Sequence, residues 1–210
     1  EKVPDRILNH CVETIKSFPS FQIEKINIKP INIGNNFHWE ECFRQIEQTR
    51  QSKKINPTDF VVLLTEERNI DNWFAAFDQE NNSKNIFIQT SEWHDYIYTN
   101  QVHPVTYEII ANVMQAIMYE NTEKSLEWTH EHSKGCMNDF CGWKPDIQYK
   151  LKTAEICSDC LSILEKTVSE GILKDSISCF DKIRLNVIGN SKYFEPPSYE
   201  ESFFSPIAIT

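Results

Sequence analysis

The sequence predicts a mixed α/β domain over residues 1–190, in which helices flank a small mixed sheet and a helical C-terminal region is tied together by cysteines. Three observations predict it. Apolar residues recur at the 3.6-residue period in several segments, which marks helices with one buried face. Short runs rich in Val, Ile and Phe stand between them. One of these, Asp59 to Thr65, is apolar at every position from 60 to 64, the pattern of a central strand buried on both faces. Finally, four of the seven cysteines fall within 25 residues, between Cys136 and Cys160.

Taken in order, Pro4 to Phe18 forms a helix whose Ile7, Leu8, Cys11, Val12 and Ile15 share a face. Gln22 to Ile33 alternates like a strand interrupted by Pro30, and Gly34-Asn35-Asn36 is a turn. His38 to Arg50 is again amphipathic through Trp39, Cys42, Phe43 and Ile46. After the central strand come two shorter ones, Trp73 to Phe77 and Asn85 to Thr90, with polar Asp78 to Lys84 as a hairpin-type connection. Trp93 to Tyr98 leads into a helix from about Pro104, a residue suited to a first helical turn, with Ile109, Val113, Ala116 and Ile117 as its buried stripe. Asn121 to Gly135 is a polar loop. Cys160 to Ser169 and Leu173 to Ile188 are helices, the second buried through Leu173, Ile177, Phe180, Ile183 and Val187. Gly171 and Gly189 stand where helix ends favour a left-handed residue. Residues 191–210 read as an extended tail rich in Pro, Phe and Tyr.

Lys and Arg total 21 against 31 Asp and Glu, a net charge of −10, so no broad phosphate-binding surface is expected and nucleic acid is not the anticipated partner. No run of apolar residues is long enough for a membrane span. Outside the cluster, Cys11, Cys42 and Cys179 sit at apolar helical positions. An odd remainder of core-type thiols suits a reducing compartment, and the chain reads as cytoplasmic.

Within the cluster the chain reads Cys136-Met137-Asn138-Asp139-Phe140-Cys141, then fifteen residues, then Cys157-Ser158-Asp159-Cys160. Two close pairs joined by a loop can converge four thiolates on one tetrahedral ion, the arrangement of a structural Zn²⁺. Cys136, Cys141, Cys157 and Cys160 are therefore the expected metal ligands. Two nucleic-acid chemistries built on such cysteines fail on spacing. A zinc deaminase needs Pro before its C-x-x-C, where this chain has Ile156. A metal-finger nuclease needs a histidine between the pairs, and residues 142–156 contain none.

The order helix, strand, helix, central strand, two short strands and a helix leading to C-x4-C…C-x2-C resembles the archaemetzincin branch of the zincin metalloproteases, over roughly residues 58–170. The resemblance implies a zincin-like fold in which that helix carries H-E-x-x-H-x-x-G-x-x-H-C and a second, four-cysteine zinc site follows. Here the helix reads Tyr107-Glu108-Ile109-Ile110-Ala111, with Met114 at the glycine, Ile117 at the third histidine and Trp143 at the later methionine. Only Glu108 keeps a family role, that of general base. A catalytic zinc needs three protein ligands and an open position for water, which Tyr, Ala and Ile cannot supply.

The resulting expectation is a zinc-binding, non-hydrolytic module that works through a protein or peptide partner. The alternative is a metallohydrolase with a different site around Glu108, His130 and His132, since Thr129-His130-Glu131-His132 is the only close histidine pair. His132, four residues before Cys136, could instead replace one thiolate or support the ligands from outside. Glu108, Asn112, Gln115 and Tyr119 form a polar stripe along the same helix, either a remnant cleft or a solvated face. The lysines of Lys144 to Lys152 read as solvated, or as a weak contact for an anionic ligand. Pro196-Pro197-Ser198-Tyr199 matches a polyproline-recognition motif or belongs to a docked tail.

Overall fold

A computed structural model describes residues 3–26, 36–78, 83–97, 102–119 and 127–190. The tail and most of the strand expected over Gln22 to Ile33 lie outside these residues, while 21–26 carry no regular secondary structure.

A three-stranded sheet forms the middle of the domain. Strand β1 (Val61–Thr65) pairs parallel with β3 (Asn85–Gln89), from Val61 opposite Asn85 to Thr65 opposite Gln89. Strand β2 (Ala75–Phe77) pairs antiparallel with β3, giving the order β1-β3-β2. The hairpin-type link between β2 and β3 is as expected. Among the described residues β1 is paired on one edge and half-buried at its middle positions, and β3 lies between two partners, buried at all five positions.

Side chains alternate across β3. Phe87 faces helix α2 (Trp39–Lys53), packing with Phe43 and Ile46, whereas Ile86 and Ile88 belong to the larger core on the opposite face. Buried Arg50 of α2 bonds the Asn85 side chain and the carbonyls of Asn56, Asp59 and Lys84, fastening that helix to the start of β1 and β3. The larger core is gathered around α4 (Val102–Tyr119), with α1 (Asp5–Lys16) and the one-turn helix α3 (Trp93–Tyr96) against it. Helix α4 is buried on almost every side, through apolar residues and through the polar Thr106, Glu108 and Asn112. Pro104 falls in its first turn, where a missing N–H costs nothing.

The C-terminal region adds α5 (Ile147–Thr153), α6 (Ser158–Thr167) and α7 (Glu170–Asn190). In α7 the buried stripe is Leu173, Ser176, Phe180, Ile183 and Val187, with Ile177 at its exposed margin. Gly171 does not end a helix. It lies in the first turn of α7, where a Cβ would meet Ser20 Oγ at 2.9 Å. No described helix is long and apolar enough to cross a membrane.

Candidate metal centre

The polypeptide approaches the centre from three sides. Residues 135–139 make a tight turn in which the Asp139 N–H donates to Cys136 O at 3.1 Å. Its first arm pairs with Glu155, through Met137 N–H to Glu155 O at 2.8 Å and Glu155 N–H to Gly135 O at 3.2 Å. The second arm pairs with the segment before it, through His130 N–H to Asn138 O and Phe140 N–H to His130 O, both at 3.1 Å. From the third side comes α6, with Cys157 as its N-cap and Cys160 in its first turn, so the positive end of the helix faces both sulfurs. Gly135 is required where it stands. Its φ of +86° suits only glycine, and a Cβ would lie 2.1 Å from Thr153 Oγ1.

This scaffold brings the donor atoms of His130, Cys136, Cys157 and Cys160 within 4.8 Å of one another, close enough to hold a metal ion. A zinc tetrahedron with Zn–S of about 2.3 Å and Zn–N of about 2.0 Å has edges of roughly 3.8 Å between sulfurs and roughly 3.5 Å between sulfur and nitrogen. The structure has Cys136 Sγ to Cys160 Sγ at 3.8 Å. His130 Nε2 lies 3.6 Å from Cys157 Sγ and 3.7 Å from Cys160 Sγ. The donor set and its edges suit a four-coordinate ion of the Zn²⁺ type.

The surrounding hydrogen bonds prepare these groups for a cation. Asp139, buried, accepts from His130 Nδ1 at 2.8 Å, which leaves Nε2 with its lone pair toward the sulfurs. Its second oxygen accepts from the N–H groups of Lys134 and Gly135, at 2.6 Å each, and of Cys136 at 3.0 Å. The Cys136 thiol is brought down to about 6 chiefly by its hydrogen bond with Cys160, with burial opposing and the Cys157 N–H assisting. The Cys157 N–H reaches Cys136 Sγ at 3.3 Å. The Cys160 thiol is pushed up by its bond to Cys136 and by burial.

The ligand group differs from the expected four cysteines in one member. The Cys141 sulfur points to Trp143 O at 3.4 Å, outside the group, and burial pushes its thiol up to about 12. The turn at 136–139 carries the following backbone past the centre to pair with His130, and the imidazole takes the fourth corner. His132, the neighbour that sequence spacing favoured for such an exchange, is exposed. Glu108, His130 and His132 are not brought together. Glu108 is buried in α4 beside Asn112, whose Nδ2 donates to its Oε2 at 2.9 Å, and neither Glu108 nor His132 belongs to the metal-capable group.

The polar stripe of α4 is neither an open cleft nor a solvated face. Asn112 and Tyr119 are buried with Glu108, and the stripe hydrogen-bonds the ligand turn. Gln115 Nε2 donates to Met137 O at 3.0 Å, and Asn138 Nδ2 donates to Tyr119 Oη at 3.0 Å. The lysines after Cys141 also differ from expectation. Lys150 is buried and donates to Met137 O and Asp139 O at 3.1 Å each, and buried Lys144 lies over the Phe74 ring at 5.6 Å. Sequence reasoning placed His130 only in the alternative site with Glu108 and His132, not among the cysteines, and missed Asp139 as its partner. The available signal was a carboxylate three residues after Cys136, at the reach of a tight turn.

Compared with protein-family models, curated proteins and solved structures, the chain finds no match.

Proposed function

We propose that the chain is a zinc-binding module on an archaemetzincin-like scaffold that does not hydrolyse peptides and acts by engaging a protein or peptide partner. One observation carries the reading. The donor atoms of His130, Cys136, Cys157 and Cys160 lie within 4.8 Å of one another, with three separations at tetrahedral edge length, so an ion held there would have four protein ligands and no corner left for water. Such an ion ties loops together and does no Lewis-acid chemistry.

The described order α1, α2, β1, β2, β3, α4 supports the scaffold. At the positions of the catalytic imidazoles, Tyr107 and Ala111 are packed into the core and Ile117 is half-buried. Burial raises the Glu108 carboxyl, opposed chiefly by the charge of Lys150. Exposed aromatics support the partner. Trp128, Phe140 and Trp143 are 63%, 44% and 62% exposed around the ligand loops, and Phe140 continues into Trp73 at 6.1 Å and Trp39 at 5.2 Å beyond it.

Elemental analysis of freshly purified protein, with a peptidase assay on the same sample, tests the proposal. One zinc per chain without hydrolysis is expected. A second tightly bound metal, or peptide cleavage abolished by Glu108→Gln, would refute the non-hydrolytic reading, and absence of bound metal would refute the centre itself.

A further inference from the structure

Lys150 joins the ligand turn to helix α4, donating to carbonyls of the turn and lying over the Tyr107 ring. Its ammonium is buried and donates to Met137 O and Asp139 O, the carbonyls of two residues in the turn that begins at Cys136 and ends at Asp139. It also lies 5.9 Å from the centroid of the Tyr107 ring. Its charge is the main influence favouring ionisation of Glu108 against burial, and it acts in the same direction on Cys141.

Charge counting shows what this ammonium is for. A divalent ion with three thiolates and a neutral imidazole carries a net charge of −1, and the Asp139 carboxylate behind His130 adds another. Two like charges in a partly buried loop are costly unless a counter-charge stands close by. The side chains bonded to that turn from α4, namely Gln115 and Tyr119 through Asn138, are neutral.

We propose that Lys150 is a positioning and charge-balancing residue of the metal centre, shared between the loaded ligand turn and α4. This rests on the zinc reading above and adds to it a direction of coupling. The ammonium donates to the carbonyls of the turn, so loss of the lysine charge weakens metal binding, whereas loss of the Glu108 charge does not. A lysine serving only a structural pair with Glu108 predicts otherwise, because either change would damage the pair and neither would act on the metal.

The test measures zinc affinity by chelator competition for wild type, Lys150→Met, Lys150→Arg and Glu108→Gln in the full chain, with visible absorption of the cobalt-substituted proteins alongside. Loss of a partner outside the ligand shell typically weakens metal binding roughly 10–100-fold, and that is the range expected for Lys150→Met. Lys150→Arg recovers most of the affinity and the wild-type cobalt spectrum, and Glu108→Gln binds at least as tightly as wild type. If Lys150→Met does not fold, Lys150→Gln decides: it keeps a donor for the two carbonyls without the charge, and affinity equal to wild type there overturns the proposal. Wild type that binds zinc beside a Lys150→Met of equal affinity overturns the role of Lys150 alone. Wild type that binds no zinc overturns the centre and this inference together.

Discussion

Replacing Asp139 separates the ligand scaffold from the ligands themselves. In Asp139→Ala four donors lose their acceptor: His130 Nδ1 and the N–H groups of Lys134, Gly135 and Cys136. Lys134 is exposed and its N–H can turn to water, but the Gly135 and Cys136 bonds are buried. A buried donor left unpaired costs about 1–3 kcal/mol, so the two together cost roughly 2–6 kcal/mol, toward the lower figure if water enters the space. Freeing the imidazole to change tautomer weakens metal binding a further 10–100-fold, about 1.4–2.7 kcal/mol. Asp139→Asn distinguishes the contributions. Its one oxygen can serve the backbone N–H groups while its NH2 faces Nδ1, so most of the fold stability survives and most of the affinity loss remains. Urea unfolding at fixed free zinc reads the first quantity, and competition with a chromophoric chelator reads the second. An Asp139→Ala protein that binds zinc within about twofold of wild type and unfolds at the same urea concentration would refute the assignment of both roles.

Three further outcomes follow from the same geometry. Cys141→Ser should leave zinc bound, whereas His130→Ala should lose more than roughly 100-fold, beyond the range of an outer partner; the reverse pattern in chelator competition would restore the four-cysteine set. Gly135→Ala forces an L side chain to φ +86° and onto Thr153, displacing the hydroxyl that donates to Gly135 O at 2.7 Å. At about 1–3 kcal/mol it should lower the melting temperature by roughly 2–12 °C, and an unchanged melt would contradict the tight approach. Glu108 gives a pH dependence. Burial raises its carboxyl above its ordinary value of 4.5, opposed by Lys150 and Asn112, so the folded state holds the proton more tightly than the unfolded state. Its contribution is complete below pH 4.5 and is lost as pH rises through the raised value. Wild type should therefore lose stability relative to Glu108→Gln across that rise, and parallel urea midpoints at every pH would exclude it.

The sequence made the parts legible where a single period or spacing settles the geometry. Helices α1, α2 and α7 follow from their 3.6-residue patterns, and β2 and β3 from short runs flanked by polar residues. Three of the four members of the metal-capable group follow from cysteine spacing, because a C-x-x-C at a helix start leaves its sulfurs little freedom. Cys141 misled because spacing along the chain does not encode a turn. The Asp139 N–H to Cys136 O bond closes the loop two residues before Cys141, and strand pairing with His130 then carries that cysteine away. His130 was hidden for a related reason. Its place depends on a pairing partner eight residues further on, whereas His132 looked better by proximity in sequence alone. Likewise β1 has the more apolar run, yet among the described residues β3 is the strand with a parallel partner on one edge and an antiparallel partner on the other.

The stripe Glu108, Asn112, Gln115 and Tyr119 shows why periodicity could identify a face without naming what covers it. A polar stripe on a helix is ordinarily read as facing water. On α4 it faces an irregular segment whose backbone groups cannot all pair within a sheet or helix and must find partners where they are buried. Met137 O is met by Gln115 and Lys150, and Asn138 by Tyr119 and the Trp128 carbonyl. A metal-capable turn and a buried polar helix face are thus two halves of one requirement. An ion held there would fix a loop too short to fold by apolar burial, and the helix supplies the hydrogen bonds that such a loop lacks. Either half alone would leave buried polar groups unpaired, which is why both lie in the same 50-residue stretch between Glu108 and Cys157.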